Sequence, residues 1–287
     1  MSTLIDGLSL GGIYALIALG YTMVYGIAKM LNFAHGDIIM VGAYAVSATL
    51  ALSGFPVLAI ILSVVVCVLL GVLVERIAYR PLRGASPLAV LITAIGVSYL
   101  MQSIARLIFG AKPRTVELFS LPPVHIGNAT ISGASLLTLC VSVVIMTTLT
   151  LFVNRTKTGH AMLAVSEDRG AAQLMGINVN RIIVLTFAIG SALAACASIF
   201  YLLYIPQVNP TLGSMPGIKA FTAAVIGGIG SIPGAMIGGV LLGLIETLCL
   251  RIPALSSYTT SIEFGLLILI LLVKPTGLLG KRRREKV

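Results

Sequence analysis

Pro56-Val57-Leu58-Ala59-Ile60-Ile61-Leu62-Ser63-Val64-Val65-Val66-Cys67-Val68-Leu69-Leu70-Gly71-Val72-Leu73-Val74 is a run of nineteen residues without a charge. An α-helix needs roughly 20 such residues to cross a hydrocarbon core of roughly 30 Å. On either side of this run, comparable apolar segments occupy about 4–28, 38–52, 87–109, 134–153, 182–204, 217–231, 234–250 and 258–273. Of the 287 residues, 58% are hydrophobic and only 10% charged, and mean hydropathy is +1.07. Nine Asp and Glu cannot solvate the surface of a soluble fold this size, so a soluble globular protein is excluded. Strict two-residue alternation is absent, which excludes barrel strands. The expected fold is all-α: one polytopic transmembrane bundle over 1–287, with about eight or nine spans and the lipid bilayer as its solvent.

Two of the nine segments, 38–52 and 217–231, have fifteen residues, or roughly 22 Å of helix. They read as half-helices. Asn32 to Asp37 interrupts the apolar pattern before the first, with His35, Gly36 and Asp37 in a row. Asp37 is placed to cap a helix beginning near Ile38. Gly227, Gly228, Gly230 and Pro233 break the second segment, because glycine lowers helix propensity and proline removes a donor. Paired interruptions in the two halves of a membrane protein point to a transport route, since freed backbone groups need protein or a water-filled cavity to satisfy them. Tight turns between helices fit the same residues. His35 and Asp37, two residues apart, face different sides of a helix and do not suggest a proton relay. Glu246 and Glu263 lie in apolar runs with Arg251 between them, which fits either a functional site or a structural ion pair.

Charge distribution sets the orientation. If the tail Lys281 to Arg284 faces the cytoplasm, fourteen cations fall inside: Lys29, Arg76, Arg80, Arg83, Arg155, Lys157, Arg169, Arg181, Lys274 and five in the tail. Arg106, Lys112, Arg114, Lys219 and Arg251 fall outside. The bias obeys the positive-inside rule, accounts for the net charge of +10 without nucleic acid, and requires nine crossings with the amino terminus outside. Met1 to Leu10 has no basic residue before its apolar stretch, so no cleavable signal is expected. The segment 111–133, with Pro113, Pro122, Pro123 and Gly127, is an irregular outer loop.

The inner segment 154–181 is the most informative polar stretch. Ser166 is placed to cap a short helix, Glu167 and Asp168 sit where first-turn carboxylates favour the dipole, and Gly176 terminates it. Ala171, Ala172, Leu174 and Met175 offer contact atoms for a groove on another protein; a helix lying at the membrane interface has the same composition. Cys67, Cys140, Cys196 and Cys249 each lie in an apolar run and suggest neither disulfide nor metal. No zinc motif, no activated nucleophile and no Gly-Lys-Ser/Thr phosphate loop is present, so no cofactor and no enzymatic chemistry is expected of this chain.

Ala171-Ala172, three residues and Gly176 resembles the Ala-Ala-x-x-x-Gly core of the loop by which ABC importer permeases dock on their ATPases, with Gly170 where that motif usually has Glu. Gly11-Gly12-Ile13-Tyr14-Ala15-Leu16, Asn32-Phe33-Ala34-His35-Gly36-Asp37 and Gly227-Gly228-Ile229-Gly230-Ser231-Ile232-Pro233-Gly234 resemble the permeases of high-affinity branched-chain amino-acid ABC importers, the shorter of the two paired subunits. The resemblance implies import of Leu, Ile or Val across the inner membrane. It implies a second homologous permease in a heterodimer, two cytoplasmic ATPases that hydrolyse the ATP, and a periplasmic substrate-binding protein. It also implies that Ser166, Glu167, Ala171, Ala172 and Gly176 contact an ATPase. Relatives for urea and short amides share these motifs, and an ion-coupled secondary transporter is the reading from another class.

Overall fold

The computed structural model describes residues 2–119, 121–126 and 129–280. The tail Lys281 to Arg284 and the outer-loop Gly127 lie outside the described residues. Twelve helices follow in the described chain: α1 (Ser2–Ala28), α2 (His35–Ser53), α3 (Pro56–Val74), α4 (Pro87–Phe109), α5 (Gly133–Arg155), α6 (Lys157–Glu167), α7 (Arg169–Leu174), α8 (Val179–Tyr204), α9 (Ser214–Gly227), α10 (Ile232–Arg251), α11 (Pro253–Ser256) and α12 (Thr259–Val273). A π-helical turn, Glu75–Tyr79, and a 3₁₀ turn, Arg80–Leu82, prolong α3. Four short strands, β1 (Arg114–Thr115), β2 (Val124–Ile126), β3 (Ala129–Ile131) and β4 (Gln207–Val208), form two antiparallel pairs, β1 with β4 and β2 with β3. The all-α bundle is as expected. Helices α1, α2, α3, α4, α5, α8 and α10 are long and apolar enough to cross a membrane, while α12 has 15 residues and α9 has 14.

Helix α1 is the axis of the bundle: 89% of its most apolar window is buried in protein, against 28% for α3, α4 and α5. Glycines make that packing possible. A Cβ on Gly11 would lie 2.7 Å from the Val240 Cα, and Gly239 and Gly243 of α10 approach the backbones of Ala15 and Gly11. Small residues let helix backbones meet where lipid supplies no hydrophobic drive for association. Spared contact with acyl chains, α1 is polar enough to carry Thr22 and two tyrosines, Tyr14 and Tyr21, in its buried face.

Cross-links define two ends. At one end Arg169 of α7 donates to the carbonyls of Ile27 and Ala28, Arg83 reaches Asn180 and Glu75, and the Leu278 amide bonds the Ile226 carbonyl at 2.8 Å. At the other, Ser135 donates to Asp6 at 2.9 Å and the Val116 amide bonds the Pro206 carbonyl at 3.1 Å. Chain direction therefore alternates between ends, with α9 reaching the α7 end only because residues 205–213 cover the remaining depth without helix.

The half-helix expectation holds for α9 and is corrected for α2. The latter has 19 residues, because His35, Gly36 and Asp37 form its first turn instead of preceding it. Its N-cap is Ala34, which offers no side-chain bond, so Asp37 is not the cap either. A first-turn carboxylate suits the positive end of the helix without capping it.

Candidate functional site

The interruption after α1 turns back into the bundle. Lys29 has a positive φ of 55°, and by Gly36 the chain packs on Gly217 of α9, with a Cβ there 3.1 Å from the Gly217 Cα. Gly217 lies ten residues before the end of α9, about 15 Å of helix. The N-termini of α2 and α9 thus meet inside the protein. Gly213, the N-cap of α9, makes no side-chain cap bond either, so two positive dipole ends converge there.

One side chain ties this junction to α4. Gln102 donates to Asp37 Oδ1 at 2.9 Å and to Ser214 Oγ at 3.4 Å, and lies 3.3 Å from Ser98 Oγ. The His35 ring instead packs edge-on against Tyr21, with centroids 4.8 Å apart. His35 and Asp37 therefore have different partners. Tyr79 donates to Asn32 Oδ1 at 2.8 Å, but His35 Nε2, Asn32 Nδ2, Thr22 Oγ1 and Thr222 Oγ1 are buried and find no hydrogen-bond partner among the described residues. Buried polar atoms normally have partners, so these four are open to a group that the described residues do not supply.

The two sequence interruptions share a cleft at the α7 end. Leu31 and Asn32 from the first and Ile229 from the second line it, with Tyr21, Tyr25, Phe221 and Ala224. Its volume of about 10 Å³ admits no amino acid. The remainder of the second interruption is a tight turn. Gly227 and Gly234 pack backbone to backbone, and Gly228, at φ 106°, lies against Gly280. Pro233 sits in the first turn of α10, where its missing N–H costs no helical bond, and Ser231 caps that helix by accepting from the Gly234 amide at 3.2 Å. Gly230 lies beside Gly26, 4.0 Å from the Cα by a built Cβ. Of the expected route residues, Asn32 meets this turn, Gly36 and Asp37 meet the start of α9, and His35 packs against Tyr21 of α1. Residues 213–217 were missed. The available signal was Pro216 two residues after Ser214, a pattern that starts helices.

The 154–181 segment forms two helices where one was expected. Ser166 is in the last turn of α6, donating to the Leu163 carbonyl at 2.7 Å, and Glu167 ends that helix. The cap of α7 is Asp168, which accepts from the Gly170 and Ala171 amides at 2.8 and 3.0 Å. Asp168 wins because a carboxylate at the N-cap accepts two amides and meets the dipole with a full charge. Gly176, at φ 82°, stops the helix as expected. Ala172 is 3% exposed and faces its own protein, while Leu174 and Met175 are 90% and 83% exposed. Burial and the neighbouring Arg83 lower the Arg169 pKa, yet an arginine stays protonated in proteins, so a charged guanidinium rests on the final carbonyls of α1.

A second polar centre lies deeper. Lys219 of α9 sits 2.7 Å from Glu246 Oε1 and 3.2 Å from Glu263 Oε1, and Tyr14 donates to Glu246 Oε2 at 2.7 Å. Lys219 is thus no outer-loop cation, and it, not Arg251, pairs the two glutamates. Arg251 lies 3.7 Å from Asp6. Ionisable residues in apolar runs almost always pair in the bundle interior, the signal that could have joined these three.

A family model described as the permease component of branched-chain amino acid transport systems matches residues 3–272. The chain belongs to this family. The permease is 43% identical to the high-affinity branched-chain amino acid transport system permease protein BraD of Pseudomonas aeruginosa, covering 100% of this chain and 98% of that protein. It is 41% identical to LivH of Escherichia coli K12, covering 100% and 97%. Among solved structures, PsaBC from Streptococcus pneumoniae in complex with Fab aligns with 96% of the permease and 91% of that chain, at a TM-score of 0.48 and 16% identity, a likeness too distant to inform the site.

Proposed function

We propose that this permease is the membrane-spanning subunit of an ATP-binding-cassette importer that carries Leu, Ile or Val inward across the cytoplasmic membrane. Full-length identity above 40% to two permeases named for branched-chain amino acids carries the reading. The end bearing α6 and α7 faces the cytoplasm in this reading, where Leu174 and Met175 enter a groove on one of two ATPase subunits that hydrolyse the ATP. The amino terminus lies outside, which needs an odd number of crossings: the seven long helices with both α9 and α12 make nine. A second, homologous permease completes the conduit, and a periplasmic protein delivers the substrate.

The route passes the junction of α2 and α9 and then the cleft between Asn32 and Ile229. A zwitterion cannot cross hydrocarbon without polar partners. Unpaired groups on Asn32, His35, Thr22 and Thr222, with two helix N-termini, offer such partners while binding nothing tightly. The cleft is closed in this conformation, and ATP-driven movement of α7, passed to α1 through Arg169, opens it.

Reconstitution of the complex in proteoliposomes tests the assignment. ATP-dependent uptake of radiolabelled Leu, Ile and Val, without uptake of urea, is the expected result. Urea uptake without branched-chain uptake would replace the substrate.

A further inference from the structure

At the end of the bundle opposite α7, a cavity of about 380 Å³ opens among α1, α5, α8 and α10. That volume falls in the range of small-ligand pockets, roughly 300–1,000 Å³. Asp6 and Arg251 stand at it with opposite charges 3.7 Å apart. That is longer than the about 2.7–2.9 Å of a charge-assisted hydrogen bond, so the two form a loose, partly exposed ion pair at the cavity. Ser135 fixes the carboxylate by donating to Asp6 Oδ1 at 2.9 Å, and Arg251 is 57% exposed at its side chain.

The helix ends add fields of the same pattern. α5 begins at the cavity wall, and its N-cap Ser132 makes no side-chain cap bond, which leaves first-turn amides toward an anion. α8 ends there at Tyr204, where unsatisfied carbonyls favour a cation. Leu203 and Leu250 supply apolar wall. Thr247 lines the same cavity, is 6% exposed, and its hydroxyl finds no partner among the described residues.

We propose that this cavity binds one free α-amino acid with an apolar side chain. Its carboxylate lies on Arg251 and the α5 amides, its ammonium on Asp6 and the end of α8, and its side chain on Leu203 and Leu250. The choice of an amino acid rests on the proposed function; the demand for a small zwitterion rests on the cavity alone. Located at the end opposite the Asn32–Ile229 cleft, the site holds substrate before the junction of α2 and α9 rather than forming part of it.

The test uses the purified complex in nanodiscs, without its binding protein, and measures [³H]leucine binding by scintillation proximity. Saturable binding is expected. Leu250→Trp, which fills the cavity without touching a charge, and Arg251→Gln should each weaken it at least tenfold, while Arg251→Lys weakens it less. Arg106→Gln, an outer cation away from the cavity, should leave it unchanged. Valine should displace the label and phosphoethanolamine should not. Equal binding in Leu250→Trp and Arg251→Gln overturns the proposal, as does absence of saturable binding in a complex that still takes up leucine. Displacement by phosphoethanolamine in place of valine also overturns it, assigning the cavity to a lipid headgroup. ATP-driven uptake measured on the same preparation fails separately if the substrate class is wrong.

Discussion

Gln102 donates its side-chain amide to Asp37 Oδ1 at 2.9 Å, with both residues buried, and so joins α4 to the first turn of α2. Removing a donor from a buried carboxylate leaves it with its desolvation cost, and hydrogen bonds to charged groups contribute about 1.5–3 kcal/mol. Gln102→Leu should therefore lower the melting temperature of the detergent-solubilised protein, and Gln102→Leu with Asp37→Leu should recover part of the loss. An unchanged melting temperature in the single variant would show the contact to be idle.

The exposed pair on the α7 end should decide ATPase association. Leu174→Asp and Met175→Asp place charge on side chains that are 90% and 83% exposed, so folding and membrane level should hold while ATPase co-purification and uptake fall at least tenfold. Ala172→Arg makes a different prediction. Ala172 is 3% exposed, so the guanidinium would break the packing of α7 itself and reduce membrane level as well. If Leu174→Asp and Met175→Asp both retain the ATPase, the docking face lies elsewhere.

Lys219 is one cation shared between two carboxylates, Glu246 and Glu263, with only 10% of its side chain exposed. Breaking a buried pair by removing one partner typically costs about 3–5 kcal/mol, so Lys219→Met should sharply reduce the amount of folded protein in the membrane. Lys219→Met with Glu246→Gln and Glu263→Gln should restore much of it, since replacing a whole ionic group is cheaper than orphaning one. Failure of the triple variant to exceed the single would show that the cluster does more than balance charge.

The orientation predicts labelling. In a cysteine-free background, Lys112→Cys should react with an impermeant thiol reagent from outside intact cells, and Lys157→Cys should not until the membrane is opened. Both positions are exposed in the structure. Reversed labelling would invert the topology.

The spans were legible because length and apolarity alone satisfy the bilayer. Gly176 was legible as a stop, since only backbone freedom was needed there. What escaped was decided by tertiary partners. Asp37 looked like a cap while its donor sat 65 positions away in Gln102. Ser166 looked like a cap until Asp168, with a full charge, took the role two residues later. Ala172 looked like a contact residue, but the face of a six-residue helix that meets its own protein cannot be read from composition.

The proposed route is tested most directly where the interruptions share a wall. Ile229→Trp should fill the cleft lined by Leu31, Asn32 and Phe221 without adding charge or removing a hydrogen bond. It should cut uptake at least tenfold while leaving ATPase association near that of the parent. Gly36→Leu is a harsher change, because a Cβ there already lies 3.1 Å from the Gly217 Cα and a larger side chain would pry apart α2 and α9. Overpacking of this kind costs about 1–3 kcal/mol, so Gly36→Leu should lose both stability and uptake. Gly96→Leu, where a Cβ meets nothing within 4 Å, controls for bulk at a helical glycine and should transport normally. Normal uptake by Ile229→Trp, with the protein assembled and the ATPase bound, would place the route away from both interruptions and leave them as turns.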